Sequence, residues 1–81
     1  MTVQVLLFAQ ARERAGSARE TIELPEGSRI NDALDALVAR HAGLGALRPH
    51  LAVAVNGALA RSGDALAEGA ELALLPPVSG G

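Results

Sequence analysis

The residues best placed to do chemistry are the last six, Pro76-Pro77-Val78-Ser79-Gly80-Gly81. Neither proline has an N–H to donate, so a strand running up to Leu75 must stop there. The residue ahead of a proline is biased toward extended backbone, which predicts a tail that leaves the body stretched out. Gly80 and Gly81 have no Cβ, so such an arm passes through a channel too narrow for other residues. Its last atoms are an unhindered carboxylate, the candidate reactive group. The plainer alternative is a frayed end or a cloning remnant. Against it, the prolines give the tail a direction, and Leu72-Ala73-Leu74-Leu75 is too apolar for a linker.

A carboxylate is a poor electrophile, because its charge repels nucleophiles and oxide leaves badly. Transfer to AMP supplies a good leaving group. A sulfur donor attacking that acyl-adenylate yields a C-terminal thiocarboxylate, –CO–SH, which is ionised near neutral pH and strongly nucleophilic. The chain has no cysteine, so the sulfur comes from outside. A thin arm on a rigid body then holds it beside a target in another protein's site, a proximity effect.

The side chains offer little else. His41 and His50 are the only imidazoles, too few ligands for a zinc site of the usual kind. Glu13, Glu26, Asp64 and Glu68 fall on expected turns or outward faces, and Ser79 has no neighbouring base, so a stand-alone enzyme is not expected. Seven arginines against nine acids give a formal charge of −2, with residues 1–19 at +2 and the rest at −4. That argues against a nucleic-acid partner and fits docking on a basic protein. There is no lysine, so no side-chain ammonium can accept another protein's carboxyl group. No apolar run reaches the roughly 18–20 residues that span a membrane, and no signal-peptide pattern is present. No membrane association and a cytoplasmic location are expected.

The elements that must position the tail form one small domain. Its apolar fraction is 49 % and Phe8 is its only aromatic residue, so the core is aliphatic. Val3, Val5, Leu7 and Ala9 alternate with Gln4, Leu6, Phe8 and Gln10, the period of a strand. Leu6 and Phe8 occupy its second face, and two readings stay open: packed under a loop, or exposed to a partner. Ala11–Gly16 reads as a short link of about one helical turn, its arginines either simply solvated or contacting an anion or acidic partner. Arg19–Leu24 reads as a second strand closing a hairpin.

Ser28 is a candidate N-cap for one long helix over Arg29–Arg40, with Ile30, Ala33, Leu34, Leu37, Val38 and His41 on its inner face. Asn31 leaves the capping box incomplete, and His41 reads as a helix-end residue rather than a base. Ala42–Arg48 has room for a short helical turn ended by Pro49. Leu51, Val53 and Val55 give a third strand, Asn56-Gly57 a type I′ turn, Ala58–Ala60 a short return strand and Glu71–Leu75 the last. The predicted class is α+β: a mixed sheet of about five strands on one main helix, with a body over 1–75 and an extended tail over 76–81. The Gly-rich loop of a dinucleotide fold is missing.

The sequence resembles the small subunit of molybdopterin synthase, within the β-grasp, ubiquitin-like sulfur carriers. Three blocks carry the likeness: Val5-Leu6-Leu7-Phe8-Ala9-Gln10-Ala11-Arg12-Glu13, Val53-Ala54-Val55-Asn56-Gly57, and Leu66 through Gly81. The last is the specific one. It departs from the family at Ala70, where an aspartate is common, and at Leu75, where some members have an aromatic. The resemblance implies that Gly81 is adenylated by a ubiquitin-activating-like adenylyltransferase using ATP and thiocarboxylated by a sulfur donor protein. It implies a tail of Pro77, Val78, Ser79 and Gly80 inserted into a large synthase subunit, in a heterotetramer of two small and two large chains. There the sulfur builds the molybdopterin dithiolene from cyclic pyranopterin monophosphate. It implies Phe8, Leu59 and Leu75 as hydrophobic docking residues, and no cofactor or metal held by the isolated chain. Alternatives are a carrier for thiamine thiazole or cysteine synthesis, or a non-catalytic β-grasp binding module with an inert tail.

Overall fold

A computed structural model describes residues 1–77. Five strands and two α-helices follow in the order β1 (Thr2–Leu7), α1 (Ala9–Ala15), β2 (Arg19–Glu23), α2 (Ile30–Arg40), β3 (Ala52–Val55), β4 (Ala58–Ala60) and β5 (Glu71–Leu75), with single 3₁₀ turns at Ala42–Leu44 and Arg48–His50. The sheet order is β2-β1-β5-β3-β4. The central pair β1–β5 is parallel, with Leu7 beside Leu74, and the other three pairs are antiparallel. This is the α+β, ubiquitin-like β-grasp architecture.

Alternation sorts the strands into two faces. Val3, Val5, Leu7, Ile22, Val53, Leu72 and Leu74 point to one side and are buried. They meet Ile30, Ala33, Leu34 and Leu37, which recur at helical spacing along α2 and are also buried. Leu44, Leu66 and Ala70 close the ends of this layer. Each fully buried leucine contributes about 1.5–3 kcal/mol relative to exposure, which makes α2 against the sheet the main source of stability.

Two boundaries differ from the sequence reading. β1 stops at Leu7 rather than continuing to Gln10, because Ala9 takes a left-handed backbone (φ 49°) and turns the chain into α1. The Phe8 carbonyl then accepts from the Ala11 and Arg12 N–H groups at 3.1 and 3.3 Å. α1 is therefore a seven-residue helix, ended by Gly16 at φ 79°. The N-cap of α2 is Arg29, not Ser28. The buried Ser28 hydroxyl instead donates to the Pro25 carbonyl at 2.7 Å. Asp32 Oδ2 accepts from the Arg29 N–H at 2.8 Å, and the carbonyls of Asp64 and Ser62 take the N–H groups of Ile30 and Asn31. The free donors of the helix end are thus met from a distant loop. Pro49 lies inside the second 3₁₀ turn rather than ending the first.

The Asn56-Gly57 turn is as read. Both residues have positive φ, 52° and 86°, as a type I′ turn requires. Asn56 also accepts the Glu71 N–H on its Oδ1 at 2.9 Å and donates its own N–H to the Glu71 carbonyl at 2.9 Å. The hairpin tip is thereby fastened to the start of β5.

Candidate functional site

The tail root is held by the middle of the sheet. β5 is bonded to β1 on one side and β3 on the other, and it ends at Leu75, directly before the exposed Pro76 and Pro77. Val78, Ser79, Gly80 and Gly81 lie outside the described residues.

The sheet face turned away from α2 is apolar around that root. Register places Leu6 beside Ala73, Ala73 beside Ala54, and Ala54 beside Leu59, so one row crosses four strands. A second row sets Leu75 beside Ala52. Phe8 follows Leu7 in extended backbone and donates its N–H to the Leu74 carbonyl at 3.3 Å, which puts it level with Leu75 on this face. Phe8 is 44 % exposed and Leu59 72 %. Phe8 is therefore exposed rather than packed under a loop.

Phe8 also lines a groove of about 530 Å³ at the tail root, together with Leu47, His50, Leu51, Pro76 and Pro77. The sequence-derived residues Phe8 and Pro77 therefore meet. Leu75 shares the face with Phe8, while Leu59 stands two strands from β5, on the edge strand. Leu6 falls on this face beside Phe8 in the sequence reading; sequence reasoning missed Ala52, Ala54 and Ala73 as its other members, although the period-two alternation of β3 and β5 carried that signal. It missed Leu47, His50 and Leu51 in the groove, whose approach to the tail root is a tertiary event.

Among the described residues, the one titratable cluster with a shifted member lies elsewhere. Glu20 is opposite Val5 and so on the core side of edge strand β2, where it meets the C-terminal end of α2. It accepts from Ser17 Oγ at 2.7 Å and Arg40 Nη1 at 2.9 Å, and bonds His41 Nε2 at 2.5 Å. Burial pushes the Glu20 carboxyl up, but the hydrogen bonds from Ser17, Arg40 and His41 outweigh it and hold the group below its ordinary value. His41 is the C-cap of α2 and half-buried, a helix-end residue as read. Among the described residues, no group of three or more His, Cys, Asp or Glu is placed to hold a metal ion. Also among them, no helix is long and apolar enough to cross a membrane.

The model of the ThiS family matches residues 5–81. The chain belongs to this family. Its relatives in the wider β-grasp sulfur-carrier group match along almost their whole length. Small archaeal modifier protein 1 of Haloferax volcanii is 45 % identical, over 93 % of this chain and 95 % of that protein. The molybdopterin synthase sulfur carrier subunit of Chlamydomonas reinhardtii is 39 % identical, over the whole of both. The crystal structure of the Haloferax volcanii modifier superposes with a TM-score of 0.87 at 40 % identity, covering all of both chains. The family function is sulfur carriage, so the departures at Ala70 and Leu75 leave membership intact.

Proposed function

We propose that this chain is a cytoplasmic carrier whose Gly81 carboxyl is activated on a partner enzyme and handed on. The carboxylate oxygen attacks the α-phosphorus of ATP and pyrophosphate leaves. Hydrosulfide supplied by a sulfur donor then attacks the acyl-adenylate carbonyl carbon, a C–S bond forms, AMP departs with the electron pair, and loss of the sulfur's proton leaves the thiocarboxylate. Pro77, Val78, Ser79 and Gly80 thread the tail into the acceptor's site, while Phe8, Leu59 and Leu75 dock the open sheet face. The body over 1–75 is the handle and 76–81 the arm. The observation that carries this reading is the tail root: a strand bonded on both sides running straight into two exposed prolines, with an apolar groove beside it.

Two acceptors are supported. The 39 % identity to a subunit named as a molybdopterin synthase sulfur carrier supports delivery to a large synthase subunit, two of each chain assembling, with cyclic pyranopterin monophosphate as substrate. The 45 % identity to a protein named as a modifier supports transfer of the Gly81 acyl group to an amine of another protein. Relatedness thus favours a carrier with a broader set of acceptors over one dedicated to molybdopterin.

The test is to append one residue after Gly81 and compare it with the native end, each incubated with ATP, the activating enzyme and a sulfur donor. Intact mass should report replacement of one oxygen by sulfur on the native chain only. If the extended chain is thiocarboxylated equally, or the native chain not at all, the carrier reading fails and an inert binding module takes its place. Recovery of the N-terminally tagged chain from its own cells separates the acceptors. A bound synthase subunit marks the molybdopterin role, amide-linked conjugates mark the modifier role, and thiazole synthase or a cysteine-synthase relative marks the other pathways.

A further inference from the structure

All seven basic side chains are arginines, and neither lysine nor cysteine occurs among the 81 residues. Guanidinium stays protonated in proteins and has no free electron pair to attack with. The cations that bind within the fold, such as Arg40 on Glu20 and Arg48 on Asp35, therefore bring no nucleophile with them.

The α-amine is the remaining primary amine, and α-amines are more often deprotonated near neutral pH than lysine side chains. Here that amine is engaged. The Met1 ammonium donates to the Leu24 carbonyl, and the Leu24 N–H donates back to the Met1 carbonyl at 2.8 Å. The Met1 side chain packs against the core. To attack anything, the amine must leave the end of the β1–β2 ladder.

The hydroxyls are weaker nucleophiles, neutral at mildly alkaline pH and slow against an amine. Those of Thr2, Ser17, Thr21 and Ser28 donate to Glu23, Glu20, Gln4 and Pro25, Ser62 is exposed, and Ser79 lies outside the described residues. His41 is bonded to Glu20. His50 is exposed, but an acylated imidazole keeps its carbonyl activated and gives it up to water, so it is no end-point.

We infer that the chain is built as an acyl donor only. Once Gly81 is activated, neither the same chain nor a second copy supplies an amine that ends the reaction, so the acceptor is a nucleophile on a different protein and conjugates stop at one unit. The inference rests on the proposed activation of Gly81. In the step it forbids, an amine nitrogen attacks the Gly81 carbonyl carbon, a C–N bond forms, the bond to the leaving group breaks with its electron pair, and the nitrogen sheds a proton to water.

The experiment installs the activation chemically, as a C-terminal thioester made by thiol cleavage of an intein fusion. Its outcome is then independent of whether any activating enzyme recognises the chain, which the appended-residue test decides separately. The thioester protein is concentrated at mildly alkaline pH and followed by intact mass, alone and with free lysine as external amine. Arg12→Lys and Arg61→Lys, both at exposed positions, and a chain extended by Gly-Ser ahead of Met1 are run in parallel. The native chain should give hydrolysed monomer alone and the monomeric lysine amide when lysine is added. The lysine variants and the extended chain should form amide-linked dimers, mapped to the new amine. Dimers of the native chain, whether through Met1 or a hydroxyl, overturn the inference. So does failure of the lysine variants and the extended chain to dimerise, since the missing amines would then not be the cause.

Discussion

Glu20 and His41 are bonded at 2.5 Å across the seam between the edge strand β2 and the end of α2. Arg40 Nη1 binds the other carboxylate oxygen, and the Glu20 side chain is only 11 % exposed. One acid thus closes the sheet edge onto the helix terminus. Glu20 is held below its ordinary value of 4.5. A carboxyl depressed on folding contributes stability that is fully present above its unfolded value and is lost as pH falls through the folded one. Urea midpoints should therefore drop as pH is lowered beneath 4.5. Glu20→Gln should cost about 1–3 kcal/mol at neutral pH and flatten that acid dependence. Arg40→Ala should cost less, because its side chain is 48 % exposed and surface pairs contribute about 0–1 kcal/mol. An unchanged acid limb in Glu20→Gln would assign the dependence to other carboxylates.

Ala9 holds a left-handed backbone at φ 49° where β1 turns into α1. For an L-residue that conformation costs about 1–2 kcal/mol, and glycine relieves it at an entropic cost of about 0.5–1 kcal/mol. Ala9→Gly should therefore raise stability slightly, by about 0.5–1 kcal/mol, while Ala9→Val should lower it, since branching at Cβ makes this region less accessible. Thermal melts of the two variants should move in opposite directions. Equal losses in both would mean that side-chain packing at residue 9, not backbone strain, decides the site.

The same residue marks what could be read from the sequence and what could not. β5, the Asn56-Gly57 turn and the inner stripe of α2 were legible because each is a local signal: period two, a turn dipeptide, helical spacing. The end of β1 was not, because nothing about an alanine announces a left-handed backbone. The cap of α2 was misplaced for a related reason. Ser28 is a good capping residue, yet its hydroxyl is taken by Pro25, and the helix end is met by carbonyls from residues 62–64, a pairing that only the tertiary fold creates. For the candidate site, alternation made the exposure of Phe8 one of two readings. Only the register of β1, β5, β3 and β4 could put Leu75 and Leu59 on the same face.

Leu72 is the second residue of β5, with 0 % exposure, opposite Val5 and Val55. Truncating a buried leucine costs about 2–5 kcal/mol, against a total of about 5 kcal/mol or somewhat more for a domain of this size. Leu72→Ala should leave the chain largely unfolded at physiological temperature, by circular dichroism. Loss of carrier activity in that variant would say nothing about the tail, so it serves as the unfolding control for surface substitutions. A fully folded Leu72→Ala would mean that the β5 side of the core collapses around the gap.

Leu59 and Phe8 give the cleanest separation of docking from folding. Leu59 is 72 % exposed on the edge strand, so removing its side chain exposes little that was buried. Leu59→Ala should stay within about 0.5 kcal/mol of the parent in stability, as surface substitutions do. If the open face is the docking surface, the same change should weaken the complex with the activating enzyme or the synthase subunit by at least about 1 kcal/mol, the threshold that separates contributing contacts from neutral ones. Phe8→Ala should weaken it further, because an aromatic side chain buries about 150–250 Å² when covered and Phe8 lies beside the tail root. Thr21→Ala, on β2 opposite Gln4 and outside the apolar rows, should bind as the parent does. Calorimetric titration against each partner reads all three. Parent-like affinity in both Leu59→Ala and Phe8→Ala would remove the open face from the docking model and leave recognition to the tail alone.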